Sequence, residues 1–362
     1  MAYGDRAEGS IWYYAPNKGA PVFFAAAFAA SAIWHARQAA LTWLTCNGRY
    51  ISRHYKSWRL TGLYVVCGFV YAIGFAIREV GAVRYDDLVI YIVSVCLCFA
   101  APPLYELANY YTLGRILYYV PYYSPIHPGR VLTTFAALSM IIETLNGTGS
   151  SYVANQSLTS DQQQLGRTLL RVTLVMQLVV IGLFLSLATY FWTRCRRHGV
   201  RSAKLDQALL TLYMSNALIL TRSIYRTVEF SEASYGQDWD APDFRPSPIV
   251  RYEALFYVFE ASLMLCNSVL VNMRHPRRFL PRSTAPETPY CTKIYLSKDG
   301  VSEVEGPGYK EERNFFATLV DPFDIYGMIK GRDNTTRFWD DDENGGGGNG
   351  GITKERTGNV AV

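Results

Sequence analysis

Residues 88–113 of this chain read LVIYIVSVCLCFAAPPLYELANYYTL, and Glu106 is the only charged side chain in the run. About 20 consecutive apolar residues are enough to cross the hydrocarbon core of a bilayer as an α-helix. This run is therefore predicted to be a transmembrane helix. Whether the whole chain is a membrane protein depends on how often such runs recur on either side of it.

Similar runs recur along most of the chain, and each is long enough to span a membrane. The predicted spans are residues 20–44, 58–78, 88–113, 131–148, 168–192, 206–228 and 252–273. The sequence thus predicts an all-α fold, a polytopic bundle of seven transmembrane helices. Its parts are an extracellular N-terminal segment at 1–19, a membrane domain at 20–280 and a cytosolic tail at 281–362.

The composition agrees with a membrane domain followed by a polar tail. Half of the residues are hydrophobic and 18% are charged, below the roughly 25% of soluble domains. The net charge is +5, which excludes a strongly basic nucleic-acid-binding protein. The tail combines an acidic run at 340–343 with a glycine-rich run at 345–351. Such a composition cannot bury a core, so the tail is predicted to be largely disordered.

Basic residues concentrate in alternate loops and give the orientation. The loop at 45–57 carries three Lys or Arg, with Arg59 just beyond it, and the loop at 193–205 carries five, whereas the loop at 79–87 contains Asp86 and Asp87. This alternation predicts an external N-terminus and a cytosolic C-terminus. Two glycosylation sequons, at Asn146 and Asn155, then fall on the external side, and Asn155 is the better candidate.

Ionisable side chains inside spans are costly and need a partner or a wet cavity, so each one is a candidate functional residue. A rise of about 1.5 Å per residue places one group of side chains at similar depth in the outer half. This predicted outer layer consists of Arg222, Arg226, Glu229, Glu253, Tyr257, Glu260, Glu143 and Tyr71. It is the predicted path of a substrate.

A second polar layer is predicted nearer the cytosol. It contains His35 and Gln38 on one face of span one, which continue the predicted substrate path, together with Glu106 in span three. Pro102 and Pro103 lie between the layers and predict a helix kink, because proline removes an amide donor and clashes with the preceding turn.

Structural roles remain open for several of these residues. Arg222 and Glu260 could form an ion pair that only fixes helix register. Glu106 is expected to reach toward the cytosolic surface as an anchor. His35 could be a packing residue.

The sequence indicates no enzyme, cofactor or metal site. The five histidines include only one inside a span, His35, whereas a zinc hydrolase needs about three converging ligands. No phosphate-binding Gly-Lys-Ser/Thr loop or Gly-x-Ser-x-Gly elbow occurs. In the tail, the run from Tyr326 to Ile329 has the tyrosine-x-x-apolar form of a sorting signal, so trafficking adaptors are possible partners.

The last two spans carry the most specific pattern. Residues 212–230 read LYMSNALILTRSIYRTVEF, followed by Glu253, Tyr257-Val-Phe-Glu260, Asn272 and His275-Pro276. This pattern resembles the signature of the fungal RTA-type lipid-translocating exporters. Residues 12–281 fit it in order, including His35-x-x-Gln38, Arg78, Ala101-Pro102 and Gln177. Tyr71 stands where the family usually has Glu, while Glu143 supplies a carboxylate in span four, so we hypothesise that the charge has moved between helices.

The resemblance implies a seven-span protein of the plasma membrane or internal membranes. It also implies translocation or export of sphingoid long-chain bases or related toxic amphiphiles, and resistance to them. Membrane lipids and an amphiphilic substrate are then the expected partners. A seven-span receptor or stress sensor, or a regulator of lipid asymmetry without transport of its own, remains an alternative. Substrate, direction, energy source and oligomeric state stay open.

Overall fold

The structure is a computed structural model of the 362-residue chain. It describes residues 14, 16–45, 57–84, 86–154, 158–234, 247–280, 293–298, 302–306, 317, 320–321 and 324–331. Asn155 and most of the tail lie outside these residues, so predictions about them stay predictions.

Seven long helices account for most of the described residues, and the all-α prediction is confirmed. They are α1 (Ala20–Thr45), α2 (Ser57–Val83), α3 (Leu88–Tyr119), α4 (Arg130–Ala154), α5 (Ser160–Arg197), α6 (Ala203–Ser234) and α7 (Glu253–Met273). Within the described residues, α2, α3, α4, α5 and α7 each contain a stretch long and apolar enough to cross a membrane. Each predicted span overlaps one helix, while the seven-span count and the orientation remain predictions.

Helix α3 lies at the centre of the bundle, because both large groups of buried side chains include residues from it. One group joins Leu113 of α3 to Phe184 of α5 and Leu209 of α6. The other joins Tyr105 of α3 to Phe28 of α1. The helix begins at Asp87, whose carboxylate accepts hydrogen bonds from the Val89 and Ile90 amides at 2.9 and 3.3 Å. This is the usual way in which an N-cap satisfies free amide groups.

Two helix crossings require glycine. On α2, a Cβ atom at Gly68 would lie 2.8 Å from the Cβ of Ala32 in α1. Where α4 crosses α5, a Cβ at Gly166 would lie 2.7 Å from the Cβ of Tyr152 and 2.9 Å from the carbonyl oxygen of Gly149. Carbon atoms attract best at about 3.5–4.0 Å. A methyl group at these two glycines would therefore push the helices apart.

Helix α7 is not regular. It starts with an α-helical turn at Glu253–Phe256, continues as a π-helix at Tyr257–Ser262 and returns to an α-helix at Leu263–Met273. A π-helical turn inserts an extra residue and is frequent at functional sites. This turn carries Glu260, which the sequence analysis assigns to the outer layer.

The described part of the tail forms ordered structure against the bundle, within a segment that the sequence predicts to be largely disordered. Strands β1 (Lys293–Leu296) and β2 (Glu303–Gly306) pair antiparallel, with Leu296 opposite Glu303. The Glu303 carboxylate accepts hydrogen bonds from the Tyr119 hydroxyl at 3.0 Å and from Lys204 Nζ at 2.8 Å. Composition averages over the whole tail, so it misses a short segment that the bundle orders.

A buried ion pair fixes a second point of the tail. Just before the short helix α8 (Ile325–Ile329), Asp324 lies 2.7 Å from the guanidinium of Arg130 at the start of α4. Both side chains are 4% exposed. On α8 itself, Tyr326 and Ile329 of the possible sorting signal are largely exposed.

Candidate functional site

An ion pair joins α6 to the π-helical turn of α7. Arg222 Nε donates a hydrogen bond to Glu260 Oε1 at 2.7 Å, and Arg222 Nη2 lies 2.7 Å from the same oxygen. The Arg222 side chain is 6% exposed and that of Glu260 is fully buried. The sequence analysis correctly places these two residues at one depth. The contact is compatible with both the register role and a substrate role.

Three buried side chains of α2 and α7 have polar atoms without a hydrogen-bond partner among the described residues. They are Oε2 of Glu260, the hydroxyl of Tyr71 and both amide atoms of Asn267. The hydroxyl of Tyr71 interacts electrostatically with both Glu260 and Arg222. All three side chains are fully buried. Buried polar groups in proteins are nearly always bonded, so such a group of exceptions needs a physical reason.

Aromatic rings form one wall beside Tyr71. Its ring stacks on Phe28 of α1 with the centroids 4.4 Å apart, and lies 6.3 Å from the ring of Tyr105 in α3. Phe75, one turn further along α2, stacks on Phe28 at 5.8 Å. The open hydroxyl and carboxylate oxygen therefore lie next to an apolar surface.

Glu106 belongs to the same region, and its predicted role as a surface anchor is wrong. It is 3% exposed. Its two oxygens accept hydrogen bonds from Gln177 Nε2 of α5 at 2.7 Å and from the Tyr110 hydroxyl at 3.2 Å. Glu106 also interacts electrostatically with Arg222. Tyr71, Glu106, Arg222 and Glu260 are together called the central cluster below.

The other acidic residue of the predicted layer, Glu143, stays at the edge of the central cluster. Its side chain is half-buried on α4. It is hydrogen-bonded to Asn146 and interacts electrostatically with Arg222. Asn146 itself is half-buried within α4, which makes this sequon a poor acceptor for a glycan.

A separate cluster connects α2 to the start of α7 and includes Arg78, which the sequence analysis did not count as a site residue. Arg78 Nη2 lies 2.9 Å from Glu253 Oε1, and Tyr257 donates to the same oxygen at 3.0 Å. The second oxygen of Glu253 accepts the Asn17 amide at 2.7 Å. Arg78 also donates to the Tyr14 hydroxyl at 3.4 Å. Burial raises the pKa of Tyr14, against the opposing effect of Arg78.

The polar groups of this second cluster have hydrogen-bond or ion-pair partners, which indicates a structural role. The guanidinium of Arg78 lies over the ring of Phe256, 4.3 Å from its centroid. Such stacking adds to the ion pair. Every oxygen of Glu253 has a donor, in contrast to Glu260. The two predicted site residues Glu253 and Tyr257 therefore connect the N-terminal segment and α2 to α7.

The last predicted pair of the outer layer lies on one helix. Arg226 and Glu229 form an ion pair along α6, and both side chains are nearly one-fifth exposed. Tyr225 donates to Glu229 at 3.3 Å. Arg226 lies over the ring of Phe99 in α3, 3.9 Å from its centroid. This pair is less buried than that of Arg222 and Glu260.

His35 and Gln38 contact α7 at a different level. Gln38 Nε2 donates to the carbonyl oxygen of Asn272 at 3.0 Å. His35 Nε2 lies 3.4 Å from the Ser268 hydroxyl, and its ring stacks on Tyr64 with the centroids 5.0 Å apart. The packing alternative for His35 fits these contacts. Both residues join α1 to α7, away from the central cluster.

The structure thus divides the predicted outer layer into separate groups. Pro102 and Pro103 lie inside α3, which continues through them as a helix; the predicted kink stays a prediction. Among the described residues, no group of His, Cys, Asp and Glu side chains could hold a metal ion.

Comparisons with known proteins identify relatives along most of the chain. The family model described as "RTA1 like protein" matches residues 64–283. A lipid-translocating exporter-like protein RTA1 of Leptosphaeria maculans is 39% identical over 89% of this chain and 60% of its own length. A protein of the same name from Ajellomyces capsulatus is 26% identical over 77% of this chain and 86% of its own. Protein RTM1 of Saccharomyces cerevisiae is 25% identical over 73% and 90%.

The match with the Leptosphaeria protein therefore spans less than two thirds of that relative. No solved structure matches this chain.

Proposed function

This chain belongs to the RTA1-like family, and on that premise we propose that it translocates lipid-like amphiphiles across a membrane without an ATPase of its own. The names of the Leptosphaeria and Ajellomyces relatives support lipid translocation. Sphingoid long-chain bases are the proposed substrate class, because their head combines an ammonium with hydroxyl groups. The proposal assigns no catalytic reaction to the chain.

The observation that carries the proposal is the pair of open polar atoms in the central cluster. Glu260 Oε2 and the Tyr71 hydroxyl are buried and have no hydrogen-bond partner in the described part of the chain; they lie beside a guanidinium and an aromatic wall. Leaving a buried polar group unsatisfied costs about 1–3 kcal/mol. An ammonium on Glu260 and a hydroxyl on Tyr71 would satisfy both atoms, while the alkyl chain contacts apolar surface.

Three further residues of the outer layer have different roles in this proposal. Arg222 holds Glu260 in place and offers its guanidinium to a head-group hydroxyl or phosphate. Glu143 is half-buried at the edge of the cluster and attracts the ammonium on its way in. Arg226 is bonded to Glu229, so it would reach a phosphate only by leaving that carboxylate.

Proteoliposomes that contain only this chain test the proposal. The assay follows the transbilayer movement of a fluorescent long-chain base, with Tyr71→Phe as the test variant and Tyr213→Phe as its control. Tyr213 bonds to Thr189 at 2.9 Å on the exposed side of the bundle. We expect Tyr71→Phe to lower transport while leaving the free energy of unfolding unchanged or about 1 kcal/mol higher, because no partner is lost.

The outcomes separate transport from the alternatives. Movement above that in empty liposomes, reduced in Tyr71→Phe and unchanged in Tyr213→Phe, supports the proposal. No movement by the folded wild type across a panel of lipids would favour a receptor, a sensor or a regulator of other transporters. Equal rates for the two tyrosine variants would remove Tyr71 from the path.

The hypothesis that a charge has moved between helices has its own test. Combining Tyr71→Glu with Glu143→Gln returns the carboxylate to α2, and should restore transport that Glu143→Gln alone reduces. Activity of the double variant no better than that of Glu143→Gln would argue against the hypothesis.

We extend the proposal to location and partners. The plasma membrane is the proposed cellular location of the protein, with internal membranes as the alternative. The exposed side chains of Tyr326 and Ile329 are accessible to a trafficking adaptor, and Asn155 is the proposed glycan acceptor. Fluorescence microscopy of the protein with residues 326–329 deleted would show whether this segment directs sorting.

A further inference from the structure

The central cluster holds more negative than positive charge. It contains one cation, Arg222, whose two hydrogen-bonding nitrogens both lie 2.7 Å from Glu260 Oε1. It also contains a second carboxylate, Glu106, whose two contacts are with the neutral donors Gln177 and Tyr110. If both carboxylates are ionised, the cluster carries a net charge of −1. A buried charge without compensation costs several kcal/mol, so one further cation or proton is needed.

The helices packed around Glu106 do not supply that charge in the described part of the chain. Helix α4 contributes Glu143, which adds negative charge. Helix α5 contributes only the Gln177 amide, and α6 contributes Arg222, already bonded to Glu260. Helix α2 contributes the phenol of Tyr71, which acts on Arg222.

The next cations are committed to other carboxylates. Arg226 is bonded to Glu229, and Arg78 to Glu253. Neither can compensate Glu106 without leaving its own partner. Among the described residues, the helices around Glu106 therefore offer no cation to compensate it, and a bound cation or a proton can.

The contacts of Glu106 suit a group that changes between protonated and ionised forms. Both of its oxygens accept a hydrogen bond, at 2.7 and 3.2 Å, and these bonds stabilise the ionised form. The Tyr110 hydroxyl also lies 3.1 Å from the Ser139 hydroxyl, so it has a second partner when Glu106 holds a proton. Neither form of the carboxyl group is left without hydrogen bonds.

We propose that Glu106 is the proton-binding site of a cation–proton exchange, in which a cationic amphiphile entering the central cluster displaces the proton of Glu106. Before binding, the cluster consists of Arg222 with its positive charge, ionised Glu260 and protonated Glu106, and is neutral. An incoming ammonium adds one positive charge, Glu106 loses its proton to water, and the cluster is neutral again. This inference rests on the proposed function, and it names a proton gradient as the energy source.

The exchange predicts proton release on binding, without any need for transport. The probe is a fluorescent long-chain alkyl trimethylammonium, whose fixed charge cannot itself release a proton. The full chain in detergent, in a weak buffer with a pH-sensitive dye, should release about one proton for each probe molecule bound, at a pH where Glu106 is protonated. Glu106→Gln keeps the size of the side chain and resembles its protonated form, but it has no proton to lose, so it should bind the probe more weakly and with no proton release.

Asp206→Asn is the matched control. Asp206 pairs with Arg196 at 2.9 Å, and both side chains are at least one-third exposed. This variant should release as many protons as the wild type. Glu106→Asp, which retains a titratable carboxyl group, should restore release, and it provides a second test if Glu106→Gln does not fold.

The results separate this inference from the function on which it rests. Probe binding without proton release by the wild type, or equal release from Glu106→Gln, overturns the proton site and leaves translocation standing. A folded wild type that binds no cationic amphiphile overturns both. In proteoliposomes with the wild type, a proton gradient should drive accumulation of the probe. With Glu106→Gln, the probe should only reach equal concentrations on the two sides of the membrane.

Discussion

Removal of Arg222 should destabilise this protein far more than removal of Arg226, although both arginines belong to α6 and both pair with a glutamate. Arg222 and Glu260 have side-chain exposures of 6% and 0%, whereas Arg226 and Glu229 have 18% and 19%. Arg222→Met leaves Glu260 buried without its cation, and breaking a buried pair in this way costs about 3–5 kcal/mol. Arg226→Met breaks a partly exposed pair at spacing i, i+3 on one helix, worth about 0.3–0.5 kcal/mol.

A double-mutant cycle separates the energy of the ion pair from that of packing the aliphatic part of the arginine side chain. Arg222→Met combined with Glu260→Met removes both charges and keeps most of the volume, so it should recover most of the loss, with a coupling energy of about 3 kcal/mol. Reversible unfolding in bilayers or mixed micelles measures each free energy. Equal losses for Arg222→Met and Arg226→Met, or a double variant as unstable as the sum of the singles, would refute the reasoning.

Two further predictions concern the helix crossing and the tail. Gly166→Ala should lower the free energy of unfolding by about 1–3 kcal/mol. Gly182→Ala, whose added Cβ would meet nothing within 4 Å, should raise it by about 0.5–1 kcal/mol through helix propensity. Thermal unfolding compares the two variants, and a stabilising effect of Gly166→Ala would contradict the close contact of α4 with α5. Asp324→Asn removes the buried pair with Arg130 and should speed proteolysis of the tail at least several-fold. Arg196→Ala, whose side chain is 44% exposed and pairs with Asp206 of the bundle, should change it little. Equal rates would mean that the pair of Asp324 with Arg130 does not hold the tail.

The sequence predicts the helices well because the apolar runs are long and charged residues mark the loops. It also predicts the contact of Arg222 with Glu260. The two residues lie on antiparallel helices at similar calculated depth, and a buried charge needs a partner. These predictions depend only on length, charge and rise per residue.

The sequence analysis assigned Glu106 the wrong role and did not count Arg78, because it ended their two helices too early. Hydropathy ends span three at residue 113 and span two at residue 78, whereas the helices continue to Tyr119 and Val83. Glu106 is therefore about 20 Å from the end of α3, at 1.5 Å per residue, and cannot reach the surface. Arg78 is likewise inside α2 and pairs with Glu253. Polar residues that continue a helix beyond its apolar run carry no hydropathy signal.

The π-helical turn and the tail hairpin had no signal in the sequence. The turn at Tyr257–Ser262 depends on how α7 packs against its neighbours. The hairpin depends on Tyr119 and Lys204 of the bundle, far away in sequence from Glu303. Both features arise from tertiary contacts, which a pattern read along one segment does not contain.

The central claim is that the head of an amphiphile binds among Tyr71, Arg222 and Glu260. Photo-crosslinking tests it most directly, using a long-chain amine with a photoreactive group next to the nitrogen and peptide mapping by mass spectrometry. The account predicts labelling of α2 near Tyr71 and of α7 near Glu260, prevented by excess unlabelled amine and reduced in Glu260→Gln. Labelling confined to lipid-facing side chains such as Val66 and Val258, which are about half exposed, and unchanged by competitor would contradict it.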